Sequence, residues 1–237
     1  MSRIKYSTGI ALCRKCEDNI VRVLMINKRY TYAFYEFVCG YYNVSSDNDI
    51  ITLFNNMTVD EKLDILSTNF AQMWYRVWLH HRIISHGNSY ARWAELVLCD
   101  NCERMKRLMR QSTECAPSRV WEIPKGRKKH SGEHDMDCAI REFYEETGIP
   151  RNKYHITHGT YNVSYLENGI RYDVTYFIAI TSRVITHKIS ASSMIQLDEL
   201  CDMKWVSGAD MPAYISRDVA GHRRVIHYAK RQLINNN

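Results

Sequence analysis

The chain has 237 residues, of which 45% are apolar, enough to pack either one large domain or two smaller ones. No apolar run is long enough to span a bilayer, so we expect no membrane association, and the first residues lack the apolar stretch of a secretory signal. Eight cysteines are too few for a disulfide scaffold at this length, which favours a reducing, cytosolic compartment.

The net charge of +6 is unevenly spread along the chain. Residues 36–116 hold eight Lys/Arg against ten Asp/Glu, whereas the rest holds 24 against 16. This excess outside a nearly neutral middle suits a polyanionic substrate or nucleic acid, with ordinary solubilising charge as the alternative. The basic residues gather in three groups: Arg3, Lys5, Arg14, Lys15, Arg22, Lys28 and Arg29; Arg127, Lys128 and Lys129; Arg223, Arg224, Lys230 and Arg231.

The first half of the chain changes from strand to helix signals. Residues 7–27 read as two strands joined by a polar turn. Thr58 and Glu61 form a capping-box pattern that predicts a long helix through Trp78, and a second helix is expected from about Cys102 to Gln111. Trp74, four residues before Trp78 on the same apolar stripe, is typical of a core residue rather than of a base-stacking platform.

The second half returns to strands around one central helix. Residues 161–166 and 171–180 alternate and flank Glu167-Asn-Gly169, which predicts a hairpin. A strand is expected near 203–206 and an amphipathic helix over 219–234. Strands, then helices, then strands again predict an α+β fold with an inserted, mostly α-helical domain. The expected boundaries are 1–35 and 117–237 for the outer domain and 36–116 for the insertion.

One predicted helix carries a carboxylate cluster. From Asp137 to Glu146, helical spacing places Glu142, Glu145 and Glu146 on one face. Clustered carboxylates repel one another unless a cation shares the site, and Mg²⁺ is a cation that proteins hold with a few carboxylates and substrate phosphates. A solvated acidic helix face is the alternative.

The same helix has an apolar stripe that should face the core, and a glycine suited to its end. Gly148 lies where a helix C-terminus favours a residue with positive φ. The stripe consists of Met136, Ala139, Ile140 and Phe143.

Residues 126–149 resemble the Nudix box, Gly-x5-Glu-x7-Arg-Glu-U-x-Glu-Glu-x-Gly-U, where U is bulky and apolar. The match is unbroken from Glu133 to Ile149, but six residues rather than five separate Gly126 from Glu133. The resemblance implies the Nudix fold, a mixed β-sheet between α-helices, and Mg²⁺ or Mn²⁺ held by the helix carboxylates with the Gly126 carbonyl as a further ligand. Either Glu142 or Glu146 would orient the attacking water. We expect Arg141 to pair with Glu133 and hold the loop against the helix.

The resemblance extends beyond the box. Residues 122–126 and 137–142 resemble the eukaryotic mRNA decapping enzymes. Residues 28–37, 53–58 and 73–78 are similar to the decapping and diphosphoinositol-polyphosphate hydrolases of African swine fever virus and related large DNA viruses. This implies a virus-encoded enzyme that cleaves capped mRNA in the host cytoplasm, contributes to host shutoff and holds the RNA body on its basic surface. A hydrolase of diphosphoinositol polyphosphates or nucleoside diphosphate derivatives is the alternative, and a catalytically dead RNA-binding protein is a third reading. Oligomeric state cannot be read from the sequence.

Further candidate site residues lie outside the helix. Glu199 precedes Trp205 by six positions, which matches the Glu-x5-Trp pattern of decapping enzymes and by resemblance makes it a metal ligand or general base. Asp198 and Asp202 compete for that role. The candidate phosphate or RNA contacts are Lys125, Lys28, Arg29, Arg127, Lys128 and Lys129.

Two Cys-x-x-Cys pairs lie far apart in the sequence. If they converged, Cys13, Cys16, Cys99 and Cys102 would have the spacing of a structural zinc site that clamps the insertion to the outer domain. Free thiols with accidental spacing are the favoured alternative.

Overall fold

The computed structural model describes residues 4–78, 87–98, 100–116, 120–167, 170–182, 185, 193, 196, 199–215 and 219–235. The chain divides into two compact units, one formed by residues up to Asn27 and from Trp121 onward, the other by Lys28–Val120. The helical unit therefore extends beyond residues 36–116, the range inferred from the sequence. Its two ends meet, since the Lys28 amide donates to the Val120 carbonyl at 2.8 Å.

The helical unit packs short helices around a core of aromatic and aliphatic side chains. Phe34, Phe54 and Met73 are fully buried there, and Trp74 and Trp78 pack against this core while partly exposed. The helices are α1 (Tyr32–Val38), α2 (Asp47–Asn55), α3 (Val59–Ser67), α4 (Phe70–Val77), α5 (Gly87–Val97) and α6 (Glu103–Gln111).

The single long helix predicted from Thr58 to Trp78 is wrong. Thr58 does form the expected capping box with Glu61, but α3 ends at Ser67. Asn69 then begins α4 with a second capping box, in which the Asn69 side chain accepts from the Gln72 backbone amide and the Gln72 side chain accepts from the Asn69 backbone amide. An apolar spacing that continues through the break concealed this second helix start.

The other unit contains a mixed sheet, which confirms the predicted fold class. Strand β1 runs parallel to β6 and antiparallel to β2, and β5 and β6 form the predicted hairpin. Its turn, 168–169, lies outside the described residues. The order is β3-β2-β1-β6-β5, with β4 paired to β1 and β7 to β2. The strands are β1 (Ile4–Lys15), β2 (Val21–Lys28), β3 (Trp121–Glu122), β4 (Lys125–Gly126), β5 (His155–Glu167), β6 (Ile170–Ile180) and β7 (Leu200–Ser207).

Two helices of the described part of the chain pack on opposite faces of this sheet. Helix α7 (Asp135–Thr147) buries Ala139 and Phe143 against Ile10 and Leu12 of β1. Helix α8 (Val219–Asn235), predicted over 219–234, packs against the opposite face, which includes Ala11. Because successive side chains of β1 point to opposite faces of the sheet, the strand contributes apolar residues to two separate cores. Within the described part of the chain, no helix has the length and apolarity needed to cross a membrane.

A buried carboxylate joins two helix starts in the helical unit. The Glu61 carboxylate accepts from the Thr31 amide at 2.6 Å, the Thr31 hydroxyl at 2.8 Å and the Thr58 amide at 2.9 Å. Thr31 caps α1 and Thr58 caps α3. Glu61 therefore holds both helix N-termini, where negative charge is favourable.

We predict that Glu61→Ala lowers the free energy of unfolding by about 3 kcal/mol, because two buried donors of Thr31 and the partly buried Thr58 amide lose their acceptor. Urea denaturation measures the change. Glu103→Ala, which removes an exposed carboxylate of α6 that forms a surface ion pair with Lys106, is the control and should stay within about 0.5 kcal/mol of wild type. Equal effects of the two substitutions would contradict the structural role of Glu61.

Candidate active site

The carboxylate helix is α7, and its ends follow from local chemistry. Asp135 and Asp137 lie in its first turn, where they complement the helix dipole. Gly148 ends it with a φ of +68°, and its amide donates to the Tyr144 carbonyl at 2.8 Å. Gly148 thus takes the position predicted for it.

The buried face of α7 differs from the predicted stripe at one residue. Ala139 and Phe143 are fully buried and Ile140 is partly buried, as expected. Met136, however, is 42% exposed, and Cys138 is buried instead. The stripe is centred on Ala139 and Phe143, so Met136 falls at its margin.

Arg141 lies at the centre of the site. Its Nε and Nη2 donate to the two oxygens of Glu133 at 2.8 and 3.0 Å, the contact expected from the sequence. Its Nη1 donates to Glu142 at 2.7 Å and to Glu145 at 3.2 Å, and Nη2 also reaches the Arg127 carbonyl at 3.0 Å. One guanidinium therefore balances three carboxylates and ties the loop backbone to the helix.

Glu133 contacts Arg141 although the loop before it has one residue more than the Nudix box pattern. The Lys129 amide donates to the Glu133 carboxylate at 2.7 Å, and the Glu133 amide closes a turn onto the His130 carbonyl at 3.2 Å. Hydrogen bonding to Arg141, and then to the Lys129 amide, lowers the pKa of Glu133 to about 2. Glu133 is therefore ionised throughout the physiological range and keeps Arg141 in place.

Strand β4 brings backbone to the other carboxylates. A Cβ at Gly126 would overlap the Glu142 carboxylate, so any larger residue there would displace that carboxylate. The buried Glu146 carboxylate accepts from the Lys125 amide at 3.1 Å. Gly126 also pairs with Thr8 of β1, which fixes β4 beside the helix.

The predicted phosphate contacts lie in different surroundings. The Lys125 ammonium is bound to the buried Glu122 carboxylate at 2.7 Å, a pair that the sequence does not predict. Lys128 contacts Asp135 at 2.7 Å and Lys129 contacts Glu145 at 2.8 Å, both at the surface. The remaining candidates divide between the units: Arg127 is exposed on the loop before α7, whereas Lys28 and Arg29 belong to the helical unit.

The donor set suits a hard divalent cation. Glu142 presents its carboxylate beside the Gly126 backbone, Glu146 accepts from the neighbouring Lys125 amide, and Glu145 shares the Arg141 guanidinium with Glu142. Among the described residues, no three acidic, His or Cys side chains already converge as metal ligands. The contacts of Arg141 and Lys129 explain this, because they engage the same carboxylates that a metal would use.

The predicted roles of Glu199 as a metal ligand or general base and of the four cysteines as zinc ligands remain predictions. Glu199 is exposed directly before β7, Asp202 accepts from its neighbour's amide, and Asp198 lies outside the described residues. Cys99 also lies outside them. Burial raises the pKa of the Cys13 thiol to about 12, which disfavours the thiolate that zinc requires. Cys16 and Cys102 are partly exposed free thiols in different units.

Comparison with known families agrees with this geometry. The NUDIX domain profile matches residues 94–229, more than half of the chain. The chain belongs to the Nudix hydrolase family. Members of this family generally use divalent metals such as Mg²⁺ or Mn²⁺. The matched range begins within α5 of the helical unit and leaves out β1 and β2, so the sheet contains two strands beyond it.

Several relatives align over most of the chain. The "mRNA-decapping protein g5R" of African swine fever virus (isolate Pig/Kenya/KEN-50/1950) is 32% identical, over 86% of this chain and 85% of its own length. A "Putative mRNA-decapping protein" of Acanthamoeba polyphaga mimivirus is 25% identical, over 79% of this chain and 58% of its own. Among solved structures, a C. elegans Ap4A hydrolase binary complex aligns with a TM-score of 0.50 and 14% identity, over 97% of this chain and 98% of that one. The last likeness shows the fold alone.

We predict that Glu133→Gln flattens the acid limb of the stability profile. The folded-state pKa of Glu133, about 2, lies below its ordinary value of 4.5. The stabilisation by Glu133 is therefore fully present above about pH 4.5 and is lost as the pH falls towards 2. Thermal unfolding followed across this window measures the slope of Tm against pH.

Glu17→Gln is the matched control, because it removes a carboxylate exposed in the turn after β1. It should keep the wild-type slope. A slope for Glu133→Gln equal to that of wild type would show that the Arg141 contact does not depend on the ionised Glu133.

Proposed function

We propose that this protein is a virus-encoded mRNA decapping enzyme that acts in the host cytoplasm. It hydrolyses the triphosphate bridge of the 5′ cap, releases the methylated guanosine diphosphate and leaves RNA with a 5′-monophosphate. The observation that carries the proposal is the set of box carboxylates held around Arg141, in a chain 32% identical to an African swine fever virus protein named for mRNA decapping. The retention of Glu142, Glu145 and Glu146 argues against a catalytically dead member of the family.

Mg²⁺ or Mn²⁺ would be held by Glu142, Glu145 and Glu146, with the Gly126 carbonyl nearby and Glu199 as a further candidate. When bound, such an ion neutralises charge on phosphate oxygens and lowers the pKa of a bound water. Arg141 orients Glu142 and Glu145, and its bidentate contact with Glu133, which lies outside the proposed ligand set, would hold the guanidinium beside the site when a metal takes those two carboxylates.

The attacking water must lose a proton to a nearby base. Glu146 is the favoured base, because its carboxylate is buried and oriented by the Lys125 amide. Glu142, which is bound to Arg141, is the competing candidate. The Lys125 ammonium is engaged with Glu122, so Lys125 would serve mainly through its backbone.

We predict that Gly126→Ala lowers the affinity for Mn²⁺ by about 10-fold or more, because the added methyl displaces the Glu142 carboxylate. Isothermal titration calorimetry measures the affinity without substrate. Gly132→Ala is the matched control on the same loop, where an added Cβ meets only the His130 ring at 3.6 Å. If both variants bind Mn²⁺ like wild type, the metal is not held beside Gly126.

We predict that Glu146→Gln reduces decapping by about 10²-fold or more while the protein stays folded by circular dichroism. RNA labelled in the cap is incubated with Mn²⁺ and enzyme, and the methylated guanosine diphosphate is separated and counted. Excess uncapped RNA should inhibit the wild-type reaction, because the RNA body contributes to binding.

Two results would contradict the proposal. Undiminished release by Glu146→Gln would remove Glu146 from the mechanism. No release by wild type, with diphosphoinositol polyphosphates still hydrolysed, would make the protein a small-molecule hydrolase.

A further inference from the structure

The sheet face beneath α7 changes along β1 from buried to solvent-exposed. Ile10 and Leu12 are fully buried under the helix, whereas Tyr6, on the same face nearer the start of the strand, is 66% exposed. The uncovered part of the face borders a cleft of about 880 Å³. The cleft lies entirely within the sheet unit.

The strand register places polar side chains in rows across the floor of this cleft. Tyr6 of β1 is opposite Asp173 of β6, which is opposite Ser164 of β5. Thr8 begins a second row across the same strands, with Thr175 and Asn162. Partners in register project from the same face of a sheet, so these side chains share the cleft. Thr175 donates to the Asn162 side chain at 2.9 Å.

Cations line the rim of the cleft. Arg171 contacts Asp173 at 2.9 Å, and Lys128 contacts Asp135 at 2.7 Å; both pairs are partly exposed. Among the described residues, no carboxylate pairs with the exposed Arg127 guanidinium. Exposed ion pairs contribute little stability, so phosphate oxygens can replace the carboxylates at small cost.

The cleft adjoins the catalytic carboxylates through the loop before α7. The carbonyl of Arg127 accepts from Arg141, while the residue itself lines the cleft. Thr8 pairs with Gly126, so the cleft begins beside the proposed metal site. From Thr8 to Ile4 it follows β1 for about 13 Å.

We propose that this cleft binds the first nucleotides of the RNA body, the segment that follows the cap. Arg127, Lys128 and Arg171 would contact phosphodiester groups, and the exposed Tyr6 ring would stack on a base. Such a combination of cations and an aromatic ring binds single-stranded RNA without sequence preference. The inference rests on the proposed decapping function, since it assigns the part of the substrate beyond the scissile bond.

The neighbouring Lys5 provides a matched control. Its ammonium contacts the Tyr172 hydroxyl at 3.4 Å and lies 5.3 Å from the centre of that ring. Tyr172 alternates with Arg171 and Asp173 and packs against the core beneath α8, so this contact lies on the opposite face. Lys5 also borders the cleft, but its side chain projects from the opposite face, so it does so through its backbone. Lys5→Ala therefore removes an equal charge one residue away and leaves that backbone in place.

The test compares hydrolysis of capped RNA with hydrolysis of the cap dinucleotide, which lacks an RNA body. Tyr6→Ala should raise KM for capped RNA by about 5-fold or more, the effect of one lost base stack, whereas Tyr6→Phe should behave as wild type. Arg171→Ala should reduce the slope of log KM against log salt by about 0.7, the contribution of one phosphate contact to a single strand. Neither variant should change turnover of the cap dinucleotide.

Direct binding of a short uncapped RNA, followed by fluorescence polarisation, provides a readout that does not depend on catalysis. Tyr6→Ala and Arg171→Ala should weaken it, and Lys5→Ala should not. If wild type decaps RNA but all three variants behave alike, the cleft inference fails while the proposed function stands. If the cleft variants lose cap-dinucleotide turnover as well, the cleft holds the cap rather than the RNA body. If wild type releases no methylated guanosine diphosphate, the proposed function itself fails.

Discussion

The site depends on one guanidinium among three carboxylates. Glu133, Glu142 and Glu145 would repel one another if brought together alone, and Arg141 contacts all three within 3.2 Å. The same group binds the Arg127 carbonyl, so charge balance and loop position are coupled. Glu133 gives Arg141 a bidentate partner outside the proposed ligand set, which lets a metal take the other two carboxylates without releasing the arginine.

The insertion of a helical unit leaves this arrangement intact because the chain leaves and re-enters the sheet at one place. Strands β2 and β3 pair directly, with Ile26 opposite Glu122 and Asn27 opposite Trp121. The helical residues between them begin and end at a single backbone hydrogen bond, Lys28 to Val120. A long insertion between adjacent ends adds little closure cost, so the sheet and the following box can form as they would without it.

Local patterns in the sequence predicted the fold and the helix that carries the carboxylates. The alternation in the strands, the Thr58 capping box and the carboxylate spacing on α7 each depend on residues close in sequence, and all three features are present. The break at Asn69 was missed because the apolar spacing continued through it. The Lys125–Glu122 pair and the floor of the cleft could not be predicted, because burial and strand register decide them. Nothing in the sequence marks Tyr6 as a site residue, because its place on the floor of the cleft depends on the pairing of β1 with β6 and of β6 with β5.

The most direct test of the metal site is anomalous diffraction from crystals of the protein soaked in Mn²⁺. We predict a manganese peak bound by Glu142, Glu145 and Glu146, with Arg141 still paired to Glu133 but displaced from the other two carboxylates. A peak elsewhere, in crystals of a protein that releases the cap product, would contradict the assignment of the α7 carboxylates as the catalytic metal ligands. So would an Arg141 that keeps both contacts while manganese is bound.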